Sequence, residues 1–196
     1  FFFQADPGIR DPLWSRGLGD VYKRQSLIWG LAEATFFFIV PDVILSYITL
    51  KSTKTAKTAC IFTTIGALFG GLIMYAWGKQ NLESAEIFLN KVPAISEQML
   101  DDIKVNVKEN QGLAIFTGPI KGQPYKAYAV YSGSEEINYL LFILITIPAR
   151  ITRFALAVLA VDFILNKKLK NFRKSNKIIL LSSFWLFFYT AYFLLI

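Results

Sequence analysis

The chain has 196 residues, 54% of them hydrophobic and 16% aromatic, and carries a formal net charge of +7; its mean hydropathy is +0.43. Its apolar residues are gathered in long blocks, which excludes an ordinary soluble domain and places the chain in the membrane class. One cysteine, Cys60, and no histidine exclude a disulfide framework and remove the commonest metal ligand and general base, so no cofactor, no metal and no nucleic-acid partner is expected.

Residues 15–25 read SRGLGDVYKRQ, the translation of a transposon adapter used in sequencing libraries. Residues 4–11, QADPGIRD, are close to the translation of the primer that precedes that adapter. The competing reading is a real amphipathic leader. Residues 1–25 are therefore expected to be non-native and are set apart from fold reasoning, leaving residues 26–196 as one membrane domain.

Residues 26–50 are apolar except for Glu33 and Asp42, with Pro41 between them. Two carboxyls and a proline make this a poor single span and a better hairpin. Residues 58–77 hold twenty uncharged residues, enough at ~1.5 Å each to cross a ~30 Å hydrocarbon core. Within them, Gly66, Gly70 and Gly71, followed by Gly78, form a small-residue stripe that suits close helix packing. Tyr75 and Trp77 fit an interfacial aromatic belt. Residues 78–111 are polar, with helix-like runs at 84–92 and 96–110. Residues 112–133 are mildly apolar but broken by Gly118, Pro119, Gly122 and Pro124, again a hairpin pattern. Residues 137–165 form a third apolar element, a span able to tilt or kink at Pro148. Residues 178–196 hold nineteen uncharged residues and predict a C-terminal span.

Basic loops at residues 51–57 and 167–177 contain no acid, so both are expected on the cytoplasmic side. The expected fold is an all-α integral membrane protein. It has two inverted hairpin-plus-helix repeats with re-entrant loops and an extra C-terminal transmembrane helix. Such repeats hold their substrate between broken helices at the bilayer midplane.

A carboxylate retained in hydrocarbon faces a cavity or a partner, which makes Glu33 and Asp42 candidate proton carriers. Alternatively, either sits at the interface, with Asp42 capping a half-helix. Broken helix ends expose N–H groups that suit an anion. With Lys121 and Lys126 beside them, residues 117–126 are a candidate phosphate site or a solvated surface loop. Arg150 and Arg153 share one helix face. They are either phosphate ligands or structural partners of Glu33, Asp42 or Asp162, and the two roles can coexist.

Four stretches, LAEATFFFIVPD, IGALFGGLIMYAWGK, GPIKGQPYKAYAVYSG and IPARITRF, in this order and spacing, resemble the DedA family. This family is also called the SNARE-associated or VTT-domain family, and the likeness is to its small YqaA-like branch. The resemblance implies two opposed re-entrant hairpins and movement of lipids across the bacterial inner membrane. Undecaprenyl phosphate or a phospholipid is the implied cargo, with proton coupling. By position, Glu33 and Asp42 match the family's acidic pair and Lys126 its closing basic residue. Where the family has an earlier arginine, this chain has Pro119 or Lys121 nearest.

The leading expectation is a flippase or scramblase of a phosphate-headed lipid, with Lys121, Lys126, Arg150 and Arg153 toward the headgroup and Glu33 and Asp42 coupling protons. The alternatives are a small-ion exchanger and a non-transporting scaffold. An enzyme is not expected, because a histidine-dependent phosphatase and a D-x-x-D-G headgroup transferase both lack their residues. The oligomeric state is left open.

Overall fold

Uncharged apolar runs form the long helices of this molecule; Ser52 and Asn81 bound one of them and Asn138 opens another. The structure, a computed structural model, describes residues 13–195. In chain order it contains α1 (Leu13–Thr35), α2 (Asp42–Lys51), α3 (Thr53–Gln80), α4 (Leu82–Asn90) and α5 (Glu97–Asn110). There follow α6 (Gly112–Thr117), a 3-10 turn (Gly118–Lys121), α7 (Tyr125–Ser134), α8 (Tyr139–Val161), a π-helical turn (Asp162–Lys168) and α9 (Lys174–Leu195). No strand occurs among the described residues. Helix α1 crosses the residue 25/26 boundary unbroken, and Lys51 donates to the Tyr22 hydroxyl at 2.6 Å; residues 1–12 lie outside the described residues.

Local chemistry sets the boundaries. Ser52, Asn81, Ser96 and Asn138 each accept a backbone N–H from the first turn of the following helix, satisfying donors that would otherwise be orphaned. Among the described residues three helices are long and apolar enough to cross a membrane: α3 with 28 residues, α8 with its π turn at 30, and the Lys174–Leu194 stretch of α9 with 21. These are the three spans the sequence predicts. The ten residues of α2 and of α7 reach only ~15 Å each, half a hydrocarbon core.

Helices α1 and α3 lie side by side and parallel. Gly30 sits between Thr63 and Ala67, Gly66 between Leu27 and Leu31, and Gly70 against Leu31 and Ala34 further along both helices, so the contacts advance in the same direction from that crossing. Helix α7 covers the other flank of α3, where Gly78 lies against the Val130 carbonyl. A Cβ at Gly66 or Gly78 would strike partner backbone, so neither neighbour can give way by turning a side chain. Gly78→Ala is expected to destabilise by about 1–3 kcal/mol through overpacking, read as a lowered melting temperature in detergent. An unchanged melt would show that α3 and α7 do not touch there.

Two cores result. One joins α3, α4, α5 and α7 around Met74, Leu89, Ile103 and Tyr128. The other joins α2, the start of α3 and the end of α8 around Leu45, Ile48, Cys60 and Phe154. At one end of the bundle, Thr53 donates to Asp162 and Asn166 donates to the Thr49 carbonyl. These bonds bring the two basic loops together. The polar 78–111 segment occupies the opposite end of α3.

Three expectations need correction. Tyr75 is not a lipid-facing belt residue: it is 6% exposed and donates to the Ile137 carbonyl at 2.6 Å, because the α3–α8 contact claims that face. Asp42 does not cap α2, since no side-chain capping bond forms there and its carboxylate turns toward Arg153 instead. Asp162 is no partner for Arg150 or Arg153, as it faces Thr53, Asn166 and Lys167.

Candidate functional site

The two interrupted stretches meet where Lys126 reaches the Phe37 carbonyl. Glu33 lies near the end of α1, and Asp42 opens α2 beyond the irregular residues 36–41. Lys126 is the second residue of α7, just after the 3-10 turn and Pro124. Arg150 and Arg153 stand one turn apart on α8, opposite both breaks.

The charges pair specifically. Arg150 Nη2 lies 3.2 Å from Glu33 Oε2, with side-chain exposures of 1% and 6%. Arg153 Nη2 donates to Asp42 Oδ2 at 2.9 Å in a partly buried pair. The Arg150 guanidinium also lies over the Tyr125 ring, 3.8 Å from its centroid, and Tyr125 Oη donates to Thr146 Oγ1 at 3.3 Å. Ring and hydroxyl together fix the arginine between α7 and α8.

Lys126 is different. It is 3% exposed and its Nζ donates to the Phe37 carbonyl at 2.9 Å, in the break just beyond α1. That carbonyl end is the negative pole of the helix and favours a cation. Among the described residues, Lys126 has no carboxylate within ion-pair distance. The buried cluster thus holds three cations against two carboxylates. Asp42 Oδ1, Arg150 Nε and Arg150 Nη1 are buried with no hydrogen-bond partner among the described residues, so the cluster retains unused donors and an unused acceptor.

A cavity of about 900 Å³ runs beside this cluster, near the upper end of the usual size for a ligand site. Glu33, Asp42, Lys126 and Arg153 line its polar side, together with Gln123 from the second break. Lys121 also lines it but is exposed. Arg150 does not line it; it stands behind the wall as a partner of Glu33. Of the six candidate residues, the structure therefore gathers four around one space, puts Arg150 in their support and leaves Lys121 at the margin.

Sequence reasoning missed the opposite wall. Trp185, Tyr189 and Tyr192 of α9 recur at spacings of four and three, hence on one helix face, and all three line the cavity. Trp185 Nε1 donates to Ser46 Oγ at 3.0 Å, and the Val40 N–H donates to Tyr189 Oη at 2.9 Å. The polar tips at helical spacing were the available signal, hidden in a run of phenylalanines and leucines. Tyr125 was missed as well, and nothing in its spacing marked it.

Fold and site together define an all-helical protein with three membrane-length apolar helices and a charged cleft among them. A Haemophilus influenzae protein described as uncharacterized is 28% identical over 148 residues, which is 75% of this chain and 76% of its own length. No protein-family model matches the chain, and no solved structure does.

Proposed function

We propose that this chain is an integral membrane transporter of the DedA (VTT-domain) type that moves a phosphate-headed lipid from one leaflet to the other. The observation that carries the proposal is the cavity: buried Lys126 and part-buried Arg153 line it together with Glu33 and Asp42, and most of the remaining lining is apolar. A surplus of cationic donors in a low-dielectric space suits a phosphate, and the apolar remainder suits hydrocarbon.

The topology is read to match. Helices α1 and α2 form a hairpin that dips in from the end bearing the basic loops and turns at residues 36–41. Helices α6 and α7 form a second hairpin that dips in from the opposite end and turns at residues 118–124. Each is followed by a spanning helix, α3 or α8, giving an inverted repeat with the site between the two tips. The bond from Lys126 to the Phe37 carbonyl supports a meeting of the tips. Broken backbone at that depth is tolerable because protein and cavity surround it. The basic loops face the cytoplasm by the positive-inside rule, and the bilayer is that of a bacterial inner membrane. Glu33 and Asp42 exchange protons as the ion pairs open around the passing headgroup.

The test is translocation of a fluorescent phosphate-headed lipid by purified protein in liposomes, against a neutral-headed analogue. Transport is expected from the parent and not from Glu33→Gln or Lys126→Ala. If both variants transport as well as the parent, the mechanism is wrong. Proton flux indifferent to Lys126 and Arg153 would point instead to a small-ion exchanger.

A further inference from the structure

Helix α9 is attached along one edge only. The Ser182 hydroxyl shares a hydrogen bond with Tyr47 of α2, and Trp185 bonds to Ser46 of the same helix. Tyr189 accepts from Val40 in the first break, and Tyr192 donates to the Ala94 carbonyl. Among the described residues, no hydrogen bond or ion pair joins α9 to α8. The cavity fills the gap that this leaves. Its lining continues down α8 through Ala157, Ala160 and Leu165, and down α9 through Phe188, Phe184 and Leu180. All of these are apolar, and the two alanines expose little bulk. Glu33, Asp42 and Lys126 face the cavity from α1, α2 and α7 and Arg153 faces it from α8 itself, and the gap between α8 and α9 continues past Arg153 without a further charged side chain as far as Leu165.

From this geometry we infer that the α8–α9 gap is a binding slot for the hydrocarbon chain of an anionic lipid, entered sideways from the bilayer, with Ala157 and Ala160 as its floor and α9 as its outer wall. The inference rests on the lipid-transport reading and specifies where the chain lies while the headgroup meets Lys126 and Arg153. A charge-matched head end and an apolar continuation of the same cavity select one occupant, a lipid phosphate, over a free phosphate that would use the head end alone. The hinge side is α2, where the bonds are; the free side is α8. A lipid can therefore pass between α8 and α9 without breaking any described bond of α9.

The slot can be filled without disturbing the core, because Ala157 is half-buried and Ala160 exposed. Ala157→Trp and Ala160→Trp are compared with Leu159→Trp, which lies between them in sequence, is 52% exposed and does not line the cavity. The full chain is placed in phosphatidylcholine vesicles with phosphatidic acid carrying a photoreactive group on its acyl chain. Labelled residues and translocation rate are both measured. Ala157→Trp and Ala160→Trp are expected to cut translocation and slot labelling tenfold or more, with Leu159→Trp like the parent. Unlabelled phosphatidic acid should displace the label, whereas inorganic phosphate at the same concentration should not.

Failure takes distinct forms. Parental rates in both alanine variants, with Lys126→Ala inactive, would overturn the slot and leave the transport proposal standing. No translocation by the parent, with the slot still labelled and displaced by phosphatidic acid, would overturn transport and leave the binding slot. Labelling equal around all faces of α8 would show bulk lipid only and overturn the slot, as would displacement by inorganic phosphate as effective as by lipid.

Discussion

Arg150→Ala is expected to lower the unfolding free energy by about 3–5 kcal/mol, the usual effect of removing one partner from a buried ion pair. The guanidinium is 1% exposed and its carboxylate partner 6%, so neither can recover its loss from water. Glu33 would stay buried without its ion-pair partner, and Tyr125 would lose the cation stacked on its ring at 3.8 Å. The double change Glu33→Gln with Arg150→Met removes both charges and is expected to recover most of that stability, because a buried pair and an apolar replacement of similar volume are often near balance. The check is a melting series in detergent on parent, single and double variants. If Arg150→Ala melts with the parent, the pair is hydrated and Arg150 is not the internal support described above.

Lys126→Ala should do the reverse, sparing the fold and stopping the work. Its ammonium makes one hydrogen bond, to a backbone carbonyl, and no described carboxylate depends on it. Loss of that bond costs about 1.5–3 kcal/mol at most, offset by no longer burying a charge. If the headgroup meets Lys126 at the point of highest energy in its passage, the rate falls tenfold or more, equivalent to about 1.4 kcal/mol or more in the barrier. Lys126→Arg keeps the charge and should retain part of the activity; Lys126→Met, similar in length but neutral, should behave as alanine. Rate and melting temperature are read on the same preparations. Activity lost only in proportion to stability would assign Lys126 to structure rather than to the cargo.

How much of this could be seen beforehand varied with the physics involved. The three long helices were legible because an uncharged run of bilayer length is a strong signal. Glu33, Asp42, Arg150 and Arg153 stood out because charge in an apolar block is costly and rarely idle. Which carboxylate meets which arginine was not legible, since that depends on how α1, α2 and α8 are registered against one another, and Asp162 was as good a partner on paper. The glycine stripe announced close packing but not that Gly66 and Gly78 serve two different neighbours, α1 and α7. Tyr75 was misread and the aromatic face of α9 went unseen for a shared reason. An aromatic residue in a membrane helix reads the same whether it meets lipid, a neighbouring carbonyl or a cavity. The π turn at Asp162–Lys168 had no sequence mark at all.

The long reach of the two ion pairs also bears on how the protein is made. Glu33 and Arg150 are 117 residues apart, and Asp42 and Arg153 are 111 apart. At ~5–20 residues per second of synthesis, the first two helices leave the ribosome roughly 6–25 s before the arginines that neutralise their carboxylates exist. On the proposed topology, the nascent amino-terminal half then holds two acids in the bilayer without the arginines that pair with them. Insertion of α8 is what completes it, so a chain stopped after α3 should be cleared by quality-control proteolysis while the finished one persists.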